Sequence, residues 1–409
     1  MKVAIVAGGT GGHIYPAIAV AEELQAGDIN ARILFIGSEG GIENDIIPRE
    51  RFSLKTIKAK KIMRKFSFDL FKLPFTVFAG IVSSVKALKE FAPDVLLSTG
   101  GYVSFPAAVA AKLCGIPVVI HEQNTVPGFT NRICQLIAKK VAISYPVTSK
   151  YFWRRKTVLT GNPVRSKVVK AVKSVSRQKL NLDQKRRTLL VLGGSQGAHR
   201  INEAVTKLID FFTAEDIQVI HLTGPKDYRW VLSQTESRVL NIEEAVPVVR
   251  GKGRQITLRK YRLYHPMPYM YNIWDGLAAA DLVLCRAGAT AIAELTSRGL
   301  PSIVIPFPYA SEDHQKSNAH VLSRAGAAIV IDESFLSAEG LKDSIRSLFN
   351  NRSLLLKMSM ASKSLYIGDS AKRIVDLLYL VSGISRQEKR PPTKQRIRRA
   401  KIKDGPGQS

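Results

Sequence analysis

The chain has 409 residues, enough for two or three domains each with its own core, and 45% hydrophobic with 23% charged residues excludes a mostly disordered or fibrous protein. Lys and Arg number 61 against 33 Asp and Glu, a formal charge of +28, with the excess gathered in residues 49–89, 150–187, 248–265 and 386–409. That clustering suits an anionic partner and does not choose among nucleic acid, a membrane surface and a phosphorylated substrate.

Cys114, Cys134 and Cys285 lie far apart in apolar sequence with no Cys-x-x-Cys pair, which reads as buried thiols in a reducing compartment. The opening MKVAIVAGG is too short an apolar run for a signal peptide, and no stretch reaches 18 uninterrupted apolar residues. A cytosolic protein with, at most, peripheral membrane contact is expected.

In chain order, short apolar runs alternate with longer amphipathic stretches, the pattern of β-α units feeding parallel sheets. Val3 to Ala7 begins a first sheet that continues through Arg32 to Ile36, Asp94 to Ser98, Pro117 to His121 and Val141 to Ser144. The first strand runs into Gly8-Gly9-Thr10-Gly11-Gly12-His13 and a helix from about Pro16 to Leu24. Such a loop lets backbone N–H groups and a helix N-terminus approach an anion, and His13 at its mouth is suited to take a proton from a hydroxyl. It matches the dinucleotide fingerprint only loosely, since His13 stands where the last glycine belongs and no acidic ribose clamp follows about 20 residues later.

Residues 67–89 read as a helix with Leu70, Phe71, Phe75, Phe78 and Val82 at three and four spacing beside Lys60, Lys61, Arg64, Lys65 and Lys72. A core helix with a solvated basic flank accounts for this stripe equally well. Gly100-Gly101-Tyr102 follows the third strand of the sheet. Gly161-Asn162-Pro163 and the basic run to Arg187 read as a crossing to a second sheet, comprising Thr188 to Leu192, Gln218 to Leu222, Leu282 to Leu284, Ser302 to Ile305 and Ala328 to Ile331. There the device recurs: Gly193-Gly194-Ser195-Gln196-Gly197 precedes a helix near Arg200, suggesting two anion-ready helix N-termini facing one cleft. Residues 225–268 look irregular and basic. Glu294, in the first turns of a helix after Ala287-Gly288-Ala289-Thr290, can accept two hydrogen bonds from vicinal hydroxyls. Pro306 to Gln315 and then Asn318 form a polar cluster at a strand's C-terminal end, and from Ser382 the polar sequence with Pro391-Pro392 predicts a disordered basic tail.

The ordered motifs GGTGGH, TGGYVS, IHEQN, GNPVR, GGSQGA, CRAGA with AIAEL, and PFPYASEDHQ with Asn318 resemble the peptidoglycan N-acetylglucosaminyltransferases of the GT-B class over about residues 1–380. The resemblance implies an α/β fold of two doubly wound Rossmann-like domains facing a cleft: an acceptor and membrane-docking domain at 1–162, a UDP-sugar-binding domain at 163–381, and the tail at 382–409. It implies inverting transfer of N-acetylglucosamine from UDP-N-acetylglucosamine to the muramoyl 4-hydroxyl of undecaprenyl-diphosphate lipid I, giving lipid II at the cytoplasmic face of the inner membrane. His13 takes the general-base role. Thr10, Gly11, Gly12, Asn124, Arg165, Ser195, Met270, Glu294 and Gln315 are the implied donor contacts, Glu294 holding the ribose. Gly100 and Gly101 are the implied acceptor-diphosphate residues, and Leu70, Phe71, Phe75 and Phe78 the membrane face, docked on anionic lipid. No cofactor or metal is expected, since no Asp-x-Asp pair is present to hold an ion. Nucleic acid is not an expected partner, the tail lacking interleaved aromatics for base stacking.

Overall fold

A computed structural model describes residues 1–59, 69–235, 241–250 and 253–385, with backbone alone described for 69–73, 241–250, 253–262 and Ser311. The tail from residue 386 and Lys60, Lys61, Arg64 and Lys65 lie outside it.

The first sheet comprises β1 (Lys2–Val6), β2 (Arg32–Ser38), β3 (Ser53–Ile57), β4 (Val95–Ser98), β5 (Val118–Glu122), β6 (Lys140–Ile143) and β7 (Thr157–Leu159). They pair in parallel in the order β3-β2-β1-β4-β5-β6-β7, with Val6 between Ile36 and Ser98. The chain then builds β8 (Arg187–Leu192) and β9 (Ile217–Leu222), makes a separate antiparallel pair from β10 (Asn241–Arg250) and β11 (Gly253–Arg262), and returns to β12 (Tyr264–Met267), β13 (Leu282–Cys285), β14 (Ser302–Val304) and β15 (Ala328–Val330). The second sheet is parallel in the order β12-β9-β8-β13-β14-β15. Two doubly wound α/β domains result. The expectation of irregular chain over 225–268 is overturned: it contains the helix Tyr228–Thr235, the β10-β11 hairpin and β12. Ile and Val on the first arm and Ile, Thr and Tyr on the second favour strands, and the charged residues between them conceal the pattern.

Both sheets reverse strand order at a central pair, β1/β4 in the first and β8/β13 in the second. Ligand crevices of doubly wound sheets open at such a switch point, beyond the carboxyl ends of the strands. All four glycine-bearing loops noted in the sequence, after β1, β4, β8 and β13, sit there.

The helix Gly11–Gly27 is apolar nearly all round and buried at Ile14, Ala17, Ile18, Ala19, Val20, Ala21 and Leu24, because the sheet covers one side and the helix Ser370–Ser382 another. This last helix follows the second sheet in sequence but joins the first domain's core through Ile374, Val375, Leu377, Leu378 and Tyr379, and the Tyr379 hydroxyl donates to Asp28 Oδ2 at 2.9 Å. Gly161, in the linker, packs against Ile367 and Ser370, so the chain crosses between domains twice at one place.

Candidate active site

His13 lies in the first turn of the Gly11–Gly27 helix, beneath the loop that ends β4. Its Nδ1 is 2.9 Å from the Thr99 carbonyl and 3.3 Å from Gln123 Oε1. Both neighbours can only accept, so Nδ1 carries the proton and Nε2 keeps its lone pair. Burial holds the His13 pKa below the usual imidazole value, keeping the ring neutral. Gly100 and Gly101 are explained by this ring: a side-chain carbon on Gly100 would stand 2.9 Å from it, and one on Gly101 would stand 2.4 Å from the Gly8 carbonyl. Both have φ near or above +90°, which an L side chain rarely adopts.

Thr10 is the exposed residue before the helix, its carbonyl accepting from the His13 and Ile14 amides at 3.1 and 3.3 Å. Pro16, inside the helix, has no N–H to give the carbonyl four residues back, which belongs to Gly12. That carbonyl accepts instead from the Thr290 hydroxyl of the second domain at 3.1 Å. Thr290 opens the helix Ala289–Arg298, which carries Glu294. The loop of His13 and the helix of Glu294 therefore touch across the cleft.

Glu294 is buried, and its carboxylate accepts no hydrogen bond from the described residues. Burial pushes its pKa up to about 7, opposed by the charge of Arg165. With no donor among the described residues, its oxygens are free to accept from a ligand's hydroxyls. Arg165 is 2% exposed, with Nη1 3.2 Å from Glu50 Oε1 and the guanidinium between the rings of Tyr15 at 4.5 Å and Trp274 at 5.1 Å; its Nε and Nη2 are buried without a partner. The Tyr15 and Tyr269 hydroxyls hydrogen-bond across the same seam. Met270 follows β12 and packs against the second domain's core.

Ser195 is half-buried in the loop after β8. Gln315 Oε1 accepts from the Phe307 amide at 2.9 Å, while its NH2 is unengaged among the described residues. Asn124 is already engaged, donating to Glu122 Oε1 at 3.1 Å and accepting from Asn318 Nδ2 at 3.1 Å, while Asn318 Oδ1 accepts from the Thr125 amide and hydroxyl, both at 3.0 Å. Thus His13, Gly12, Thr290, Glu294 and Arg165 gather at one seam and Asn124 with Asn318 forms a second bridge. Phe75 and Phe78 lie on the helix Asp69–Phe91, 77% and 68% exposed. The side chains of Leu70 and Phe71 are outside the described residues.

Of two further residues of the site, Glu43 carries no signal in the sequence and Tyr102 stands there only within the TGGYVS motif. Glu43 is fully buried, its carboxylate accepting from Gly9 N at 3.1 Å, Ser38 N at 2.8 Å and Ser38 Oγ at 2.6 Å, in a slot where side-chain carbons on Gly8, Gly37 or Gly41 would overlap it. Tyr102 hydrogen-bonds Ser38 Oγ at 2.6 Å and lies over Gly9. Together they hold the first glycine loop from behind.

Residues 3–143 match the glycosyltransferase family 28 N-terminal domain and residues 188–376 its C-terminal domain. A relative from Thermoanaerobacter sp. (strain X514), named UDP-N-acetylglucosamine--N-acetylmuramyl-(pentapeptide) pyrophosphoryl-undecaprenol N-acetylglucosamine transferase, is 39% identical over 92% of this chain and 99% of its own. The same-named protein of Bacillus subtilis (strain 168) is 38% identical over 92% and 99%. Among solved structures, that of Acinetobacter baumannii MurG aligns with a TM-score of 0.66 and 27% identity, covering 93% of this chain and 99% of that one. With both of its domains matched in order, and with near full-length relatives well above 30% identity, the chain belongs to glycosyltransferase family 28.

Proposed function

We propose that this chain is the inverting transferase that moves N-acetylglucosamine from UDP-N-acetylglucosamine to the 4-hydroxyl of the muramoyl pentapeptide of lipid I, forming lipid II. The observation that carries the reading is the contact of the Gly12 carbonyl with Thr290, which sets a histidine with a bare Nε2 against a helix whose carboxylate accepts no hydrogen bond from the described residues. The names of the near full-length relatives supply the substrates.

The muramoyl hydroxyl attacks C1 of the sugar from the face opposite UDP, His13 Nε2 takes its proton, and the bond from C1 to the β-phosphate oxygen breaks with its electrons leaving on UDP. Charge growing on the diphosphate is met by the backbone amides of Gly194, Ser195 and Gln196, by the Ser195 hydroxyl, by the positive end of the helix His199–Thr206 and by Nε and Nη2 of Arg165, which have no partner among the described residues. Glu294 accepts the two ribose hydroxyls, Met270 borders the uracil, Gln315 offers its NH2 to the sugar, and Thr10, Gly11, Gly12 and Asn124 line the donor's other side. Gly100 and Gly101, with the first loop, receive the acceptor diphosphate.

Residues 1–162 serve as acceptor domain and the chain from 163 as donor domain, except that the helix Ser370–Ser382, expected with the donor domain, packs in the core of the acceptor domain. Among the described residues no helix is long and apolar enough to cross a membrane. The enzyme docks peripherally on the anionic cytoplasmic face through Phe75, Phe78 and neighbouring Leu70 and Phe71, a reading supported by the exposure of Phe75, Phe78 and Val82 on one helix. No nucleic acid is required. The test incubates purified protein with radiolabelled UDP-N-acetylglucosamine and a lipid I analogue. Label in the lipid, dependent on the analogue, is expected; consumption of the nucleotide sugar without the analogue, or no transfer, overturns the proposal.

A further inference from the structure

Behind His13 runs a chain of buried polar groups that the reaction described above does not use. It begins at the interdomain linker, where His121 Nε2 lies 3.2 Å from the Gly161 carbonyl, an acceptor only, so that this nitrogen carries the proton of a neutral ring. His121 is fully buried on β5, and burial lowers its pKa to about 4, so it stays neutral. Its Nδ1 is then bare and shares one hydrogen of Gln123 Nε2, at 3.1 Å, with the His121 carbonyl at 3.2 Å. The second hydrogen of that amide nitrogen goes to the Thr99 carbonyl at 2.7 Å. With both hydrogens used, the Gln123 oxygen is left facing His13 Nδ1 at 3.3 Å.

The orientation of this amide is dictated. Turned over, it would set its oxygen against the Thr99 and His121 carbonyls and the His121 lone pair, and its NH2 against the Nδ1 proton of His13, four repulsive contacts in place of four attractive ones. Gln123 is 1% exposed, so water cannot relieve them. We infer that Gln123, oriented by His121, is a positioning residue that supplies a second acceptor at His13 Nδ1 and thereby holds the ring with its proton on that side and its bare Nε2 free for the acceptor hydroxyl. This rests on the reading of His13 as the general base.

The arrangement has a signature in pH. An acceptor at Nδ1 favours the charged imidazolium, so Gln123 raises the His13 pKa against the larger lowering by burial. The other ionisable groups around the ring are Glu43, behind the glycine loop, which raises the pKa, His314, at the start of the helix His314–Arg324, which lowers it, and His121, which stays neutral. Of these only His121 touches position 123, its Nδ1 losing a donor in Gln123→Met and meeting an oxygen in Gln123→Glu, and its ring is followed in the same histidine-labelled titration. Gln123→Met removes the acceptor with little change of volume, so the His13 pKa and the acidic limb of kcat fall. Gln123→Glu sets an anionic acceptor beside the same N–H, so both rise, by about one unit. A role confined to packing would lower melting temperature and kcat without moving the limb in opposite directions.

The experiment follows kcat against pH for both variants and, separately, titrates the His13 imidazole by 15N NMR of histidine-labelled full-length protein, the His13→Asn variant identifying its signals. Expected are opposite displacements of the two variants in both measurements, a fall in kcat of roughly 10- to 100-fold for Gln123→Met, as when the group orienting a reactive histidine is lost, and a KM for UDP-N-acetylglucosamine within about twofold of the parent. An unmoved His13 titration in the variants overturns the inference. A titration that moves while the kcat limb stays fixed overturns instead the reading of His13 as base, and with it any part for Gln123 in turnover. Should Gln123→Met fail to fold, Gln123→Glu alone decides, and a His13 pKa at or below the parent's rejects the inference.

Discussion

His13 and Glu294 illustrate how burial turns ordinary residue types into reagents. Nδ1 of His13 is committed to acceptors, so the reactive nitrogen is the other one, and His13→Ala should lower kcat on the order of 100- to 10,000-fold while UDP-N-acetylglucosamine still raises the melting temperature. A normal kcat in the folded variant would show that another group takes the proton. Glu294 has the opposite problem, a carboxylate that burial pushes up to about 7 and that the protein leaves unsatisfied. Ribose hydroxyls need the ionised form, so KM for the donor should be lowest above pH 7 and climb as pH falls through that value. Glu294→Ala should raise KM at pH 8, with kcat little changed, by the equivalent of about 1.5 to 3 kcal/mol. Stability runs the other way. A carboxyl whose pKa is higher folded than unfolded contributes most below the unfolded value of about 4.5, and that contribution is lost as pH rises through 7. Glu294→Gln should therefore melt higher than the parent at pH 8, without ligand, and much less so at pH 5. An equal shift at both pH values would mean that the carboxylate is not destabilising the free protein.

Three strands that sequence reading missed share one property: β3, β7 and β12 are sheet edges. The arm Ser53–Ile57 buries only its last residue well, and Thr157–Leu159 buries none, so neither shows the continuous apolar run that marks β1, β4 or β8. Central strands and the loops between them were legible because both faces are covered. The helix Asp69–Phe91 was legible as a helix, but its apolar stripe fitted either a core or a membrane face. Exposure of Phe75, Phe78 and Val82 removes the core explanation for those three residues. Replacing Phe75 and Phe78 together by Asp should abolish co-sedimentation with anionic liposomes while donor binding persists, since each inserted aromatic contributes roughly 1.5 to 3 kcal/mol to docking. Undiminished co-sedimentation would move the membrane face elsewhere.

The two domains are joined twice over, by the linker at Gly161 and by the return of the helix Ser370–Ser382 to the first domain. Truncation after Asp369 would uncover part of the helix Gly11–Gly27 and remove Ile374, Val375, Leu377, Leu378 and Tyr379, apolar burial worth roughly 1.5 to 3 kcal/mol for each large side chain. The truncated protein should melt well below the parent or be insoluble, although the missing residues lie beyond the second sheet. A melting temperature within a few degrees of the parent would show that this helix contributes little to the first domain.

Local pattern determined much of this protein. Apolar runs and glycine turns specify two parallel sheets, and the order of the motifs identified the glycosyltransferase relatives along with His13, Ser195, Glu294 and Gln315 as candidates. Tertiary structure alone decided which nitrogen of His13 is bare, that Glu294 has no partner, that Pro16 leaves the Gly12 carbonyl to Thr290, and that Glu43 and Gln123 stand behind the site. The reason is that periodicity reports how deeply a residue is buried and on which face, whereas a hydrogen bond depends on what the fold brings opposite it. Thr99 is 86 positions from His13 and Thr290 is 278 from Gly12, separations across which spacing along the chain carries no record of the partner.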